Sequence, residues 1–382
     1  MSTVVLAAEQ FVESVRKRAE EIESARRLPA DLAADIAASG LFRMLVPESV
    51  GGLQVSPRAF SASLQVLATA DAAVGWCVMI GATSGLSAAY LETDAARHIF
   101  GAPDMITGSV FAPMGQAVVD GDDFVASGRW PWASGSANCR WLGGGCMIMQ
   151  DGQLRRRPDG APDARILLFP RDQVELIDTW QASGMRGTGS GDMAVREVRV
   201  PQSHAVSLVD GARVDAPLYK FPVFGLLAVG IASVALGNAQ AALDALQALA
   251  TAKRPQFSRR SLAERGVVQA DFARARARWL AARAFLDQAI DRTWAMAQND
   301  GLLSVDARAD LRLACTHATR ESAEVATTAY ELGGGTSVYA SHPLQRHFRD
   351  AHVATQHIMV APASYELAGR VLLGLDADAS ML

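Results

Sequence analysis

The spacing of apolar residues changes twice along this chain, and that order restricts the folds that it can adopt. Residues 1–105 carry apolar side chains every three or four positions, which is the spacing of amphipathic helices. Residues 106–212 consist of short apolar runs separated by Gly, Pro and Asp, which is typical of strands and turns. From 213 to 382 long helical patterns return. The sequence therefore predicts a helical domain, a β-domain and a four-helix bundle, in that order.

Composition and charge exclude several classes of partner. The chain has 382 residues, of which 50% are hydrophobic, so it can bury a large core. Its 36 basic and 40 acidic residues give a net charge of −4, without a long run of either sign. Such a surface does not favour binding to nucleic acid or to an anionic membrane. We therefore expect small molecules or other subunits as partners.

Cysteine usage and the first residues favour a cytoplasmic protein. The 4 cysteines show no paired spacing, so the sequence predicts neither a metal site nor a disulfide framework. The first residues, MSTVVLAAEQFVESVRKRAEE, lack the basic segment and long apolar core of a secretory signal. We interpret them as mature protein.

Local signals mark the ends of some helices. Pro29 is expected in the first turn of a helix that Gly40 ends, and further helices are expected from Pro57 to Tyr90. The apolar run at 222–237 is nearly long enough to span a membrane, but it continues into a segment with leucines at helical spacing. We therefore predict that this run is the buried first half of one long helix.

Five segments, in order, resemble the acyl-CoA dehydrogenase superfamily over nearly the whole chain. They are GLFRMLVPESVGG (40–52), ASGRWPWASGSANC (126–139), GMRGTGSGDMAVREVRVP (184–201), KRPQFSRRSLAERGVVQADFA (253–273) and GGGTSVYASHPLQRHFRDAHVATQHIM (333–359). The resemblance implies an α+β, mainly α fold with an N-terminal helical domain (1–105), a central β-barrel domain (106–212) and a C-terminal four-helix bundle (213–382). It also implies a bound flavin.

In that family a Trp and a hydroxyl residue two positions apart lie against the flavin, and here they correspond to Trp132 and Ser134. A hydroxyl at Ser134 can form a hydrogen bond with the flavin N5 region, while Trp132 offers a face to the isoalloxazine ring. The alternative for Trp132 is a core position in the β-domain.

The phosphate end of the flavin is assigned to two other segments. The motif of Arg254 and Phe257 resembles the family's "RxxF", whose Arg binds flavin phosphates across a subunit interface, so the resemblance implies a homotetramer. The alternative for Arg254 is a solvated charge at a helix end. Gly333, Gly334 and Gly335 could let main-chain amides approach the cofactor, or could simply separate two helices.

One position distinguishes dehydrogenation from oxygenation. The family's dehydrogenases use a Glu as base, and the matching position here is Ile358. No carboxylate occurs between Ala351 and Ser364, and His357 stands beside the expected place. Because some relatives carry the base on another helix, this absence alone does not exclude an FAD-dependent acyl-CoA dehydrogenase or oxidase.

The pattern PLQRxxRDxHxxxQH resembles instead the two-component aromatic hydroxylases of the superfamily. Their oxygenase component receives reduced flavin (FMN or FAD) from a separate flavin reductase, forms a C4a-hydroperoxide with O2 and hydroxylates a small aromatic substrate. Such an intermediate needs a dry pocket, a hydroxyl partner and a proton donor, for which we predict Ser134 and His357. The alternatives are a core histidine at 357, with His352 as second candidate; His342 and His347 are expected outside the site.

Five residues are candidates for contacts with the substrate: Ser109, Thr83, Trp76, Phe111 and Met185. Ser109 matches a strand that presents a Ser to the substrate hydroxyl in related hydroxylases, whereas a partnering His is missing near Thr83. This difference argues against a simple phenolate and favours an indole or another heteroaromatic. The three apolar candidates could equally be core residues. A non-catalytic binding protein on the same scaffold remains a further alternative.

Overall fold

The first domain is built from short helices. We describe the fold from a computed structural model, which describes residues 2–299 and 303–382. The first six helices are α1 (Thr3–Lys17), α2 (Ala19–Ala25), α3 (Ala30–Ala38), α4 (Pro57–Ala70), α5 (Ala72–Ser84) and α6 (Thr93–Phe100).

Capping groups explain where these helices begin and end. Gly40 follows the end of α3 with a φ of +82°, which confirms the predicted end of this helix. Pro29 stands directly before α3 and not in its first turn, where it was predicted. Ser56 accepts a hydrogen bond from the Ala59 N–H at the start of α4. The carboxylate of Asp71 accepts from Ala73 and Val74 at the start of α5. Nearly every side chain of α5 is buried.

The central domain is a sheet of eight strands. They are β1 (Thr107–Asp120), β2 (Asp123–Trp130), β3 (Trp141–Gln150), β4 (Gln153–Leu154), β5 (Ala164–Pro170), β6 (Glu175–Ile177), β7 (Asp192–Pro201) and β8 (Ala205–Val206). The strand order is β6-β7-β2-β1-β3-β5-β8, with β4 paired to β3. Strands β1 and β3 run parallel, and the other pairs run antiparallel.

Trp130 fills the core of the sheet domain. Its ring is fully buried, and its indole N–H donates to the Gly145 carbonyl at 2.7 Å. A methyl group placed on Gly115, Gly128 or Gly144 would lie 2.4, 2.6 or 2.7 Å from the ring. Strands β1, β2 and β3 therefore each have a glycine next to this indole, because a side chain there would overlap it.

The described part of the third domain contains three long helices and several shorter ones. They are α7 (Pro217–Lys220), α8 (Val223–Ala252), α9 (Gly266–Gln298), α10 (Val305–Gly333), α11 (Pro343–Ala354) and α12 (Ala363–Leu372). The sequence predicted four long helices here. That prediction was wrong in part, because the fourth helix, α12, has only ten residues. The sequence pattern also missed α11, which packs on α8 and α10.

The apolar run in α8 is buried within the bundle, as predicted. Two helical segments, Ala72–Tyr90 and Val223–Ala252, are long and apolar enough to cross a membrane, and 94% and 89% of their apolar windows are buried in the protein. Burial of this degree is typical of core helices.

We predict that Gly144→Ala lowers the free energy of unfolding by about 1–3 kcal/mol, because the added methyl group would overlap the Trp130 ring. Denaturant unfolding followed by tryptophan fluorescence measures this loss. The control is Gly266→Ala at the start of α9, where an added methyl group meets no atom within 4 Å. Equal stability of the two variants would contradict the packing described here.

Candidate active site

Three parts of the fold meet where the predicted catalytic residues lie. Helix α5 contributes Trp76, the connection between β2 and β3 contributes Ser134, and the segment after α11 contributes His357. The Trp76 indole N–H donates to Ser134 Oγ at 3.2 Å. The same indole meets the His357 ring edge-on, with 5.8 Å between the ring centroids. One tryptophan therefore connects the two residues that the sequence proposed for catalysis.

Ser134 is the first member of a buried chain of hydroxyl groups. Its Oγ lies 2.6 Å from Ser190 Oγ, which lies 2.5 Å from Thr188 Oγ1. The Thr188 hydroxyl also donates to the Met185 carbonyl at 2.8 Å. All three hydroxyl residues are buried. Sequence analysis missed Ser190 and Thr188, although both lie in the segment 184–201 that carries the family resemblance.

Main-chain hydrogen bonds fix the two loops that carry these hydroxyls against each other. The Gly135 N–H donates to the Thr188 carbonyl at 2.8 Å, and the Ala133 N–H donates to the Gly191 carbonyl at 2.9 Å. Gly189 has a φ of +55°, and a side chain there would meet the chain at residue 26. The positions of the hydroxyls are therefore set by the backbone.

Met185 is held at both of its main-chain polar groups. Its N–H donates to the Asp350 carboxylate at 2.5 Å, and its carbonyl also accepts from the Trp180 indole at 3.0 Å. The residue has a φ of +50°, which is uncommon for a side chain other than Gly. Burial, reinforced by the nearby Asp71 carboxyl, raises the pKa of Asp350 to about 7.

His357 is a neutral donor at pH 7. Its Nδ1 accepts the Met359 N–H at 3.2 Å, so the proton of the neutral ring resides on Nε2. Burial, with a smaller effect of the Arg312 charge, lowers its pKa to about 4. The imidazole therefore does not titrate near neutral pH, because its surroundings disfavour the charged ring.

The other histidines have partners elsewhere. His347 is buried, and its Nδ1 lies 2.8 Å from Asn238 Oδ1. His352 is exposed and contacts Thr327, and His342 accepts a main-chain N–H at the start of α11. Of the four histidines discussed from the sequence, only His357 has a contact with Trp76 or Ser134 in the described part of the chain.

Trp132 is not a core residue of the sheet domain. Its side chain is 67% exposed, and its φ is +64°. The core alternative for this residue was therefore wrong, and Trp130 fills that core instead. A large exposed ring that is held two residues from Ser134 is free to pack on a planar ligand.

The segment after α8 is exposed. Phe257 is fully exposed with a φ of +62°, and Arg254 is exposed two residues beyond the end of α8. Gly334 has a φ of +56°, and an added methyl group on Gly335 would meet no atom within 4 Å. The Lys253 ammonium joins the two segments by donating to the Gly333 carbonyl at 2.7 Å.

The candidate substrate residues have different surroundings. The Ser109 hydroxyl is buried, and it has no hydrogen-bond partner in the described part of the chain. The Thr83 hydroxyl donates to the Met79 carbonyl within its own helix at 2.9 Å. Trp76 and Met185 belong to the hydrophobic core, and Phe111 packs against it; the list of substrate contacts stays a prediction.

A surface cleft lies away from these residues. It has a volume of about 390 Å³, and its lining includes Glu92, Arg165, Asp210 and Arg213. Arg213 pairs with Glu92 at 2.6 Å, and Arg165 lies 3.9 Å from Asp210. Because its charges neutralise each other and none of the predicted site residues lines it, we do not assign the reaction to this cleft.

The chain matches both family models described as acyl-CoA dehydrogenase, the N-terminal domain over 3–96 and the C-terminal domain over 229–362. It is 34% identical to indole-3-acetate monooxygenase of Pseudomonas putida, covering 96% of this chain and 93% of that protein. It is 28% identical to the flavin-dependent monooxygenase oxygenase subunit HsaA of Mycobacterium tuberculosis, covering 100% and 98%. XiaF from Streptomyces sp., solved with FADH2 and glycerol, superposes with a TM-score of 0.89 at 27% identity, covering 98% and 95%.

We predict that Asp350→Asn changes how stability depends on pH. The folded-state pKa of Asp350, about 7, lies above the usual value of 3.8, so the folded chain binds this proton more tightly. The group's stabilising contribution is present below pH 4 and is lost as the pH rises through 7. From pH 5 to 8 the free energy of unfolding of the unmodified protein should fall, relative to the variant, by on the order of 3 kcal/mol. Parallel stability curves would contradict the assignment.

Proposed function

This chain belongs to the acyl-CoA dehydrogenase superfamily, in its flavin-dependent monooxygenase branch, and we propose that it is the oxygenase component of a two-component system that hydroxylates a small aromatic substrate. The family models and the relatives named monooxygenases establish the branch and the oxidoreductase class. The substrate, the route of oxygen transfer, the reductase, the tetramer and the cytoplasmic location belong to the proposal.

One observation carries the proposal, namely the group formed by Trp76, Ser134 and His357. Among the residues that the structure describes, no Asp or Glu side chain is hydrogen-bonded to any of these three. Ile358, which takes the place of the dehydrogenase base, is 72% exposed and apolar. Abstraction of a proton next to a thioester needs a base such as a carboxylate. This arrangement therefore favours oxygenation over acyl-CoA oxidation.

The residues present fit a flavin. Trp132 offers an exposed ring, and the hydroxyl of Ser134 is buried beside it on the same short segment. The open space at Gly335 and the exposed guanidinium of Arg254 suit a phosphate group. XiaF was solved with FADH2, which supports a reduced flavin as the ligand. FMN and FAD both remain candidates.

The bound flavin would supply oxygen activation at its C4a atom, and the protein would supply protons and exclude water. Neutral His357 offers its Nε2–H as a donor at pH 7, because its pKa is lowered to about 4. Ser134 and Trp76 are buried, so water has little access to their polar atoms. A dry site with a fixed donor favours transfer of oxygen over loss of peroxide.

We infer the substrate class and the assembly from several observations. The relative from Pseudomonas putida is named for indole-3-acetate, which supports an indole-type substrate here. The Ser109 hydroxyl, which has no hydrogen-bond partner among the residues that the structure describes, could form a hydrogen bond with such a substrate. The relative from Mycobacterium tuberculosis is named an oxygenase subunit, which supports a separate reductase. The exposed Arg254 and Phe257 support a neighbouring subunit at that segment.

Labelled oxygen tests the proposal. The protein is supplied with chemically reduced FMN or FAD, ¹⁸O₂ and a panel of aromatic compounds that includes indole-3-acetate. We expect one labelled oxygen atom in a product with reduced flavin, and none when oxidised flavin is supplied. Absence of label over the whole panel, together with bleaching of bound oxidised flavin by an acyl-CoA, would establish the dehydrogenase alternative instead.

We predict that His357→Ala raises the ratio of released peroxide to hydroxylated product by at least about tenfold, since a positioned proton donor is removed. The control is His352→Ala, which changes the exposed histidine five positions earlier. A peroxide assay alongside product analysis measures both variants. Uncoupling in the control but not in His357→Ala would move the assignment to His352.

A further inference from the structure

We propose that the chain Trp76–Ser134–Ser190–Thr188–Met185 fixes the Ser134 hydroxyl as a hydrogen-bond acceptor toward the flavin, so that the site selects reduced over oxidised flavin. The inference rests on the proposed function, because it assumes that a flavin N5 meets Ser134. It adds Ser190 and Thr188 to the site as positioning residues.

The first end of the chain can only donate. The Trp76 indole has a single N–H and no acceptor, and it lies 3.2 Å from Ser134 Oγ. Ser134 therefore receives a proton from Trp76 and uses one of its two acceptor positions in doing so.

The other end can only accept. The Met185 carbonyl receives the Thr188 hydroxyl at 2.8 Å. This carbonyl cannot turn away, because the Trp180 indole also donates to it and the Asp350 carboxylate holds the Met185 N–H. Thr188 therefore uses its only proton on a fixed main-chain oxygen.

Counting the hydroxyl protons between the two ends fixes which residue donates and which accepts in each contact. Thr188 has no proton left, so the 2.5 Å contact requires Ser190 to donate to Thr188. Ser190 then has no proton left, so the 2.6 Å contact requires Ser134 to donate to Ser190. The reverse direction would leave two oxygen atoms, Thr188 Oγ1 and the Met185 carbonyl oxygen, 2.8 Å apart with no proton between them. Burial of all three hydroxyls keeps water from replacing a lost partner.

The consequence is chemical selection at one atom. With its proton committed to Ser190, Ser134 can offer a ligand only its remaining acceptor position. The N5 atom of a reduced flavin carries a hydrogen, and that of an oxidised flavin does not. Reduced flavin can therefore donate its N5 hydrogen to Ser134 and complete the chain of hydrogen bonds. Oxidised flavin would place two acceptors, its N5 and Ser134 Oγ, against each other.

Anaerobic flavin titrations test this selection without turnover. The dissociation constants of reduced and oxidised FMN and FAD are measured for the unmodified protein and for Thr188→Val. We expect the unmodified protein to prefer the reduced form. In Thr188→Val that preference should fall by about fivefold, the effect of one hydrogen bond, because Ser190 can then donate to Ser134 and free its proton for oxidised N5.

Three further variants separate selection from loss of structure. Thr188→Ser keeps the hydroxyl and should restore the preference. Ser190→Ala removes the next member of the chain, and it should lower the preference even if Thr188→Val fails to fold. The matched control is Thr293→Val in α9, a buried threonine that also donates to a main-chain carbonyl, and its preference should be unchanged.

The outcomes distinguish the two levels of the argument. If the unmodified protein binds neither form of either flavin, the proposed function fails. If it prefers reduced flavin, and Thr188→Val and Ser190→Ala keep that preference in full, the hydroxyl chain does not select and the inference is overturned. A loss of preference in Thr293→Val as large as in Thr188→Val would also overturn it.

Discussion

The contact between Asp350 and Met185, together with the neighbouring contact between Arg349 and Glu23, joins the three parts of this fold beside the site. Asp350 lies in α11 of the bundle, and Met185 lies in a loop of the sheet domain. Gly184 lets that loop lie directly on α11, since an added methyl group there would be 2.5 Å from the main chain of Arg349. Arg349 in turn donates to Glu23 of the first domain at 2.5 Å. This junction holds the last acceptor of the hydroxyl chain, and the main-chain hydrogen bonds of Ala133 and Gly135 hold the loops that carry the hydroxyls.

Burial gives the site its protonation states. It raises the pKa of Asp350 to about 7 and lowers the pKa of His357 to about 4, so both groups are displaced toward their neutral forms. The resulting site is built from hydroxyls, an indole and a neutral imidazole. Such a set suits the stabilisation of a reactive neutral or weakly charged group better than abstraction of a carbon-bound proton.

Sequence patterns predicted much of this and missed identifiable parts. The three-domain order, the long buried α8 and the proximity of Trp132 to Ser134 follow from local periodicity and adjacent positions. Ser190 and Thr188 carry no periodic signal, because they lie in a glycine-rich loop, and their link to Ser134 joins residues 56 positions apart in the sequence. The pKa of His357 could not be predicted either, since it depends on burial of the ring beside Trp76 of α5 and on the charge of Arg312, which are distant in sequence. Trp76 was recognised as a pocket candidate, but its hydrogen bond to Ser134 required the fold.

A crystal structure of the protein with anaerobically bound reduced flavin tests the central claim most directly. The account predicts Ser134 Oγ within about 3.2 Å of the flavin N5. It also predicts that the side chain nearest the flavin C4a atom is His357. An Asp or Glu carboxylate facing that edge of the ring, with Ser134 turned away from N5, would contradict the oxygenase account and favour a thioester-oxidising enzyme.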